Sequence, residues 1–244
     1  MTEPAPPVAL PALDIEVGRV LAVVAHPDDL EYGAAAAVAA WTDAGHEVVY
    51  LLASRGEAGI DGMAPKESAR VRTAEQVASA AVVGVSTVEF LDHPDGVIEY
   101  GLPLRRDIAA AIRRHRPDTL LLFNHTDTWG PGRLNSPDHR NVGRAALDAV
   151  GDAGNRWVFP DVGAQPHGGV RHAVVTGTPT PTYAVDVSAT VDRAVASLAE
   201  HRAYLDGLGD HPMADPEFVR AWLETAAERL PGSRAALAVE LYSF

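Results

Sequence analysis

The stretch Arg19-Val20-Leu21-Ala22-Val23-Val24-Ala25-His26-Pro27-Asp28-Asp29 decides the fold. Its first seven residues form a valine-rich apolar run, the mark of a strand buried on both faces of a parallel sheet. The run stops at His26-Pro27. An alanine-rich helix follows over about 30–44, closed by Gly45 just past its last turn. Outward from there the alternation repeats. Residues 46–53 read as a strand, 54–65 as a loop with three glycines and a proline, and about 66–83 as a helix closed by Gly84. A strand over 86–91, a helix over about 104–115 and a strand over 118–123 come next. A long polar loop, 124–137, leads into a helix over about 138–150. Beyond it the pattern predicts strands near 170–176, 183–187 and 236–242, and helices near 189–205 and 217–229.

Strand–helix alternation of this kind implies a Rossmann-like α/β fold, a doubly wound and mostly parallel sheet with right-handed crossovers. Ligands in such sheets bind beyond the carboxyl ends of the strands, where the strand order reverses. With the order 3-2-1-4, strands one and four are neighbours at that point, and the loops leaving them are where chemistry is expected. The 244 residues suffice for one sizeable core. They divide into a proline-rich lead, 1–18, and one α/β domain, 19–244.

Composition removes several classes of function. The formal net charge is -13 and Lys66 is the only lysine. So acidic a surface repels a phosphate backbone, so no nucleic-acid partner is expected. The absence of cysteine excludes disulfides, thiolate catalysis and thiolate-held metals. Any metal must then be held by His, Asp or Glu, which suits Zn²⁺ and also Fe²⁺ or Co²⁺. The lead has no basic segment ahead of an apolar one, and no run of about 18 apolar residues occurs. The expectation is a cytoplasmic protein without a membrane partner.

The loop after strand one carries His26, Asp28 and Asp29; the loop after strand four ends in Asn135-Ser136-Pro137-Asp138-His139. His26, Asp29 and His139 supply two imidazoles and a carboxylate, three ligands of the kind that leave a fourth position on zinc for water. Asp28 would then be the carboxylate free to act as general base and afterwards to protonate a leaving amine. Each aspartate alone has a plainer reading as a helix cap. Two His/Asp clusters meeting at one switch point are harder to assign to capping.

At these residues the sequence resembles the PIG-L/LmbE-type N-deacetylases, which include N-acetylglucosaminyl-phosphatidylinositol and mycothiol-pathway deacetylases. Ala25 to Asp29 matches the family's Ala-His-Pro-Asp-Asp signature, and Ser136 to His139 matches its later Asp-His element. Further similarity covers Ser54–Glu57, Val71–Glu75, Gly84-Val85 and Asp92–Gly96. The stretch 124–160, with Trp129-Gly130, looks like an actinobacterial branch of unsettled substrate. The resemblance implies His26, Asp29 and His139 as zinc ligands and Asp28 as base. It also implies hydrolysis of an N-acetyl or other acyl amide on an amino sugar or related small molecule. In one departure, Ser136 stands where many members carry a histidine thought to stabilise the oxyanion. Ser136 itself, His125 or His93 could take that role.

Arg55, Arg72 and Arg133 are expected near the crevice mouth, where a guanidinium fork suits sugar hydroxyls, carboxylate or phosphate. A structural pair such as Arg72 with Glu75 is the alternative. Trp129, between glycines, reads either as a sugar-stacking lid or as packing for the next helix. Asp138 reads as a helix cap or as an orienter of a ligand histidine. His201 reads as structural, on an amphipathic helix. Competing functions are an amidase acting on a thiol conjugate or acylated secondary metabolite, and a metal-binding homologue of weak catalysis. A nucleotide binder lacks its glycine-rich motifs. A haloacid-dehalogenase-like phosphatase has no need of His26 or His139. A homo-oligomer is compatible with all of these.

Overall fold

Residues 8–244 are described by the computed structural model; residues 1–7 of the proline-rich lead lie outside the described residues. The strand opened by Val20 is β1 (Val20–Val24), buried at every position. It is followed by α1 (Asp29–Gly33), α2 (Ala35–Asp43), β2 (Val48–Leu52), α3 (Pro65–Val82), β3 (Thr87–Phe90), α4 (Leu102–His115) and β4 (Thr119–Phe123). Then come β5 (Thr128–Gly130), β6 (Arg133–Leu134), α5 (Pro137–Gly154), β7 (His172–Thr176) and β8 (Tyr183–Asp186). The chain ends with α6 (Val191–Leu198), α7 (Arg202–Gly207), α8 (Glu217–Ala226) and β9 (Ala236–Ser243).

The main sheet has seven strands in the order β3-β2-β1-β4-β7-β9-β8. Strands β3, β2, β1, β4 and β7 run parallel, and β9 is antiparallel to both β7 and β8. The expected order 3-2-1-4 is therefore present, and β1 adjoins β4 where the order reverses. Successive side chains of a strand face opposite ways, and β1 divides accordingly. Val20, Ala22 and Val24 enter a core shared with α2, α6 and α8; Leu21, Val23 and Ala25 enter another shared with α4 and α5. Burial on both faces is why β1 reads as an unbroken apolar run rather than an alternating one.

Three stretches differ from the sequence expectation. The helix over 30–44 breaks at Ala34, whose backbone leaves the helical region. Gly33 lies so near the Phe123 ring that a Cβ there would meet it at 2.7 Å. The first turn thus presses onto β4 and delivers Asp29 and Glu31 inward, while α2 packs its alanines on the sheet. The helix over 189–205 turns at Ala199–His201 and becomes α6 and α7, with His201 fully buried at the bend. The polar loop over 124–137 contains the hairpin β5–β6, in which Gly130 pairs with Arg133. Pro131 and Gly132 form its tip, and Gly132 at φ +74° supplies the positive φ that a Pro-Gly type II turn requires.

Candidate active site

The turn leaving β1 and the segment leaving β4 open into one cavity of about 350 Å³, within the size range of small-molecule sites. Its floor is His26, Asp28, Asp29 and His139. Its walls include Arg72, Asp95, Phe123, Trp129, Ser136 and, from the C-terminal part of the chain, Tyr204, Leu208 and Met213.

Asp29 is buried and its two oxygens are divided between tasks. Oδ2 accepts the backbone N–H groups of Ala25 at 3.0 Å and His26 at 2.9 Å. Oδ1 faces His139 Nε2 at 3.0 Å. His26 Nδ1 lies 3.2 Å from His139 Nε2 and 3.7 Å from Asp29 Oδ2. Burial opposes the Asp29 charge, but the two histidines overcome it and hold the carboxyl far below its ordinary value.

Neighbours fix both imidazoles. His139 Nδ1 lies 3.0 Å from Asn135 Oδ1, and the Asn135 amide donates to the carbonyls of Asn124 and Thr126. Asn135 Oδ1 thus accepts from Nδ1–H, which leaves Nε2 as the nitrogen that faces Asp29 and would ligate an ion in the neutral tautomer. His26 Nε2 lies 3.1 Å from Asp138 Oδ2 and 3.0 Å from Asp95 Oδ1, which leaves Nδ1 free on the other side. Burial pushes the His26 pKa down, yet the carboxylates of Asp138, Asp29 and Asp95 outweigh it and raise it well above its ordinary value. Asp138 also accepts from the N–H groups of Gly96 and Ile98. It therefore orients His26 across the site rather than its neighbour His139. The helix cap is Ser136, whose Oγ accepts from the Asp138 N–H at 3.2 Å, with Pro137 at the first helical position.

The donor set fits a tetrahedral ion. Ligand atoms about 2.0–2.1 Å from zinc at tetrahedral angles lie roughly 3.3 Å apart; His139 Nε2 stands 3.2 Å from His26 Nδ1 and 3.0 Å from Asp29 Oδ1, close to that value. A second group, His26 with Asp95 and Asp138, is also close enough. Its carboxylates already accept backbone N–H groups of Ala58, Gly96 and Ile98, so it serves better as support for His26.

Asp28 stands beside this set, 6% exposed. It occupies the N-cap position of α1 without capping it through its side chain. Its carboxylate faces the Arg72 guanidinium at 3.3 Å. Burial raises the Asp28 pKa above its ordinary value against the pull of Arg72. Its φ of +91° is left-handed, a strain of order 1–3 kcal/mol for a non-glycine residue. Arg72 donates to the carbonyls of Pro27 and Gly56, and its guanidinium lies 4.3 Å from the centroid of the Tyr204 ring. This ties Arg72 to the turn after β1, in place of the pair with Glu75 that sequence spacing allowed. Trp129 packs on Phe123 and His139, so the hairpin forms one wall.

Other expected residues sit elsewhere. His125 is turned away from the cavity; its Cβ packs on Gly143 of α5 and its ring on Tyr242. His93 pairs with Asp107 of α4. Arg55 binds Leu91 O and Asp92 at a neighbouring surface hollow. Arg133 is exposed on β6. Conversely, Tyr32, Tyr204, Leu208 and Met213 line the cavity with no motif that marks them, while Asn135 and Asp95 lie in motif-bearing stretches that gave them no role. Along α3, Ser68, Arg72, Gln76 and Ser79 are buried polar residues on one face, a feature the sequence alone does not distinguish from a solvated stripe.

The sequence profile of the PIG-L family, GlcNAc-PI de-N-acetylase, matches residues 21–150. Diacetylchitobiose deacetylase of Thermococcus kodakarensis is 33% identical over 194 residues, 77% of this chain and 70% of that protein. The 1D-myo-inositol 2-acetamido-2-deoxy-alpha-D-glucopyranoside deacetylase of Kineococcus radiotolerans is 39% identical over 61% of this chain. The match spans 48% of that protein, about half its length. Among solved structures, N,N′-diacetylchitobiose deacetylase from Pyrococcus horikoshii superposes with a TM-score of 0.81 at 24% identity. The superposition covers 92% of this chain and 84% of that one, a likeness that speaks for the fold.

Proposed function

The chain belongs to the PIG-L family, GlcNAc-PI de-N-acetylase, and on that premise we propose that it is a zinc-dependent amide hydrolase that removes the acetyl group of an N-acetylated amino sugar. The observation that carries the reading is the meeting of His26, Asp29 and His139 beside the buried Asp28 on one cavity floor. The related proteins support the substrate class, since those named above act on acetamido sugars by their names.

His26 Nδ1, Asp29 Oδ1 and His139 Nε2 would hold the ion. When bound it supplies Lewis-acid polarisation of the amide carbonyl and lowers the pKa of water toward neutrality. Asp28 takes a proton from the attacking water as the C–O bond forms, and returns it to nitrogen as the C–N bond breaks. Acetate and a free amine leave. Arg72 holds the Asp28 carboxylate and the Pro27 carbonyl in place, so the base needs no reorientation during turnover. Ser136 Oγ accepts from the Asp138 N–H, and its hydroxyl proton is free to donate to the developing oxyanion. Trp129 and Tyr204, in the cavity wall, offer aromatic surface to a sugar.

The test is Asp28→Asn on N,N′-diacetylchitobiose as probe. General-base loss should lower kcat by about 10²–10⁴-fold while zinc content is retained. An Asn variant with wild-type turnover would remove Asp28 from the chemistry.

A further inference from the structure

Gln76 and Glu31 lie behind the cavity wall, and the reaction above makes no use of them. Asp28 is held in its left-handed backbone by a specific bond: its N–H donates to Gln76 Oε1 at 3.1 Å in buried surroundings. A backbone N–H can only donate, so the Gln76 amide must turn its oxygen toward Asp28 and its nitrogen away. The nitrogen meets a carboxylate, Gln76 Nε2 donating to Glu31 Oε1 at 2.9 Å. The same oxygen accepts from the Ser79 hydroxyl at 2.6 Å, and Glu31 Oε2 faces His201 Nε2 at 3.4 Å. Glu31, Gln76, Ser79 and His201 are all fully buried. Burying an ion and an amide in an apolar interior is costly unless each is satisfied. Here Glu31 Oε1 satisfies the Gln76 NH₂ in one orientation only, the one that presents an acceptor to Asp28, while Glu31 Oε2 has no hydrogen bond among the described residues and only faces the His201 imidazole.

We propose that Gln76 is a positioning residue for Asp28, and that Glu31 fixes which end of the Gln76 amide faces the turn. The inference rests on the reading of Asp28 as general base, and two kinds of measurement separate their failures. The first needs no turnover: exchange of the Asp28 backbone amide, followed by NMR on 15N-labelled protein. Gln76→Leu should speed that exchange at least about tenfold. The second is turnover of N,N′-diacetylchitobiose by the zinc-loaded enzyme, with zinc content measured alongside. Gln76→Leu should lower kcat by about 10–100-fold, the scale on which supporting hydrogen bonds act, with KM within about twofold and zinc unchanged. Gln76→Glu sets two carboxylates face to face and should be worse. The exchanged pair Gln76→Glu with Glu31→Gln restores one acceptor for Asp28 and one donor between the partners, and should recover kcat to within about threefold of wild type.

A purely structural Gln76 would lower Tm yet leave kcat per zinc-loaded molecule and the Asp28 exchange rate unchanged in Gln76→Leu; a kcat loss in Gln76→Glu that the exchanged pair did not recover would show that the amide orientation does not matter. Either result overturns the proposal. If instead Asp28→Asn keeps full turnover, the base assignment falls, while the amide exchange still decides whether Gln76 holds the turn.

Discussion

Replacing Asp138 by asparagine isolates what orients the His26 ring. The Asp138 carboxylate is 1% exposed and accepts from Gly96 N at 2.7 Å and Ile98 N at 3.1 Å, with His26 Nε2 at 3.1 Å. Asparagine has the same shape but one acceptor oxygen and one NH₂ group. If its oxygen keeps Gly96 and His26, its NH₂ confronts the Ile98 N–H, and a buried donor loses its acceptor at a cost of about 1–3 kcal/mol. The remaining bonds also lose their charge assistance, roughly another 1 kcal/mol. A total near 3 kcal/mol should appear in thermal or denaturant unfolding. Loss of a carboxylate behind a ligand histidine weakens metal binding about 10–100-fold. Competition with a chromogenic chelator at fixed pH reads this as a zinc Kd. A variant that is destabilised but binds zinc within about twofold of wild type would refute the claim that Asp138 acts through His26.

Other consequences follow from the same geometry. His201→Phe strips the buried Glu31 carboxylate of its facing imidazole and should destabilise the protein by about 3–5 kcal/mol, read by urea unfolding. In the chelated protein the pair also sets a pH window. Burial opposes both charges, yet Glu31 is held below its ordinary 4.5 mainly by His201, and His201 above its ordinary 6.5 mainly by Glu31. The Glu31 contribution is complete above 4.5 and fades as pH falls through its lowered pKa. The His201 contribution is complete below 6.5 and fades as pH rises through its raised one. Stability should therefore be fullest between those values, and a wild-type profile identical to that of His201→Phe would contradict the pairing. Trp129→Ala removes a cavity wall and a ring packed on His139; KM for a sugar substrate should rise about tenfold, a loss near 1.4 kcal/mol, and an unchanged KM would take Trp129 out of the binding site.

How far the sequence could be read depends on where each signal resides. β1 and its turn were legible because a strand buried on both faces writes itself as an unbroken apolar run, and His26 and Asp29 lie within five residues of its end. His139 was legible because β4 adjoins β1 and α5 starts at Pro137, capped by Ser136. The helix breaks at Ala34 and His201 were not, since alanine-rich and amphipathic patterns continue through both. What bends them is tertiary, the close approach of Gly33 to Phe123 and the burial of His201 against Glu31. His125 sits at a strand end like a catalytic residue, but packing against the bare Cα of Gly143 turns it away. Tyr204, Leu208 and Met213 reach the cavity from 65 or more residues beyond His139, where no local pattern announces them. The stripe Ser68, Arg72, Gln76 and Ser79 reads in isolation as a solvent face of α3; its burial against the catalytic turn reverses that meaning.

The most direct test of the account is acetate release from N,N′-diacetylchitobiose by the purified protein, measured before chelation, after it, and after return of one equivalent of zinc. The account predicts turnover that chelation abolishes and zinc restores in the wild type, with no restoration in His139→Ala. Undiminished turnover by the fully chelated protein, or restoration in His139→Ala equal to wild type, would contradict it.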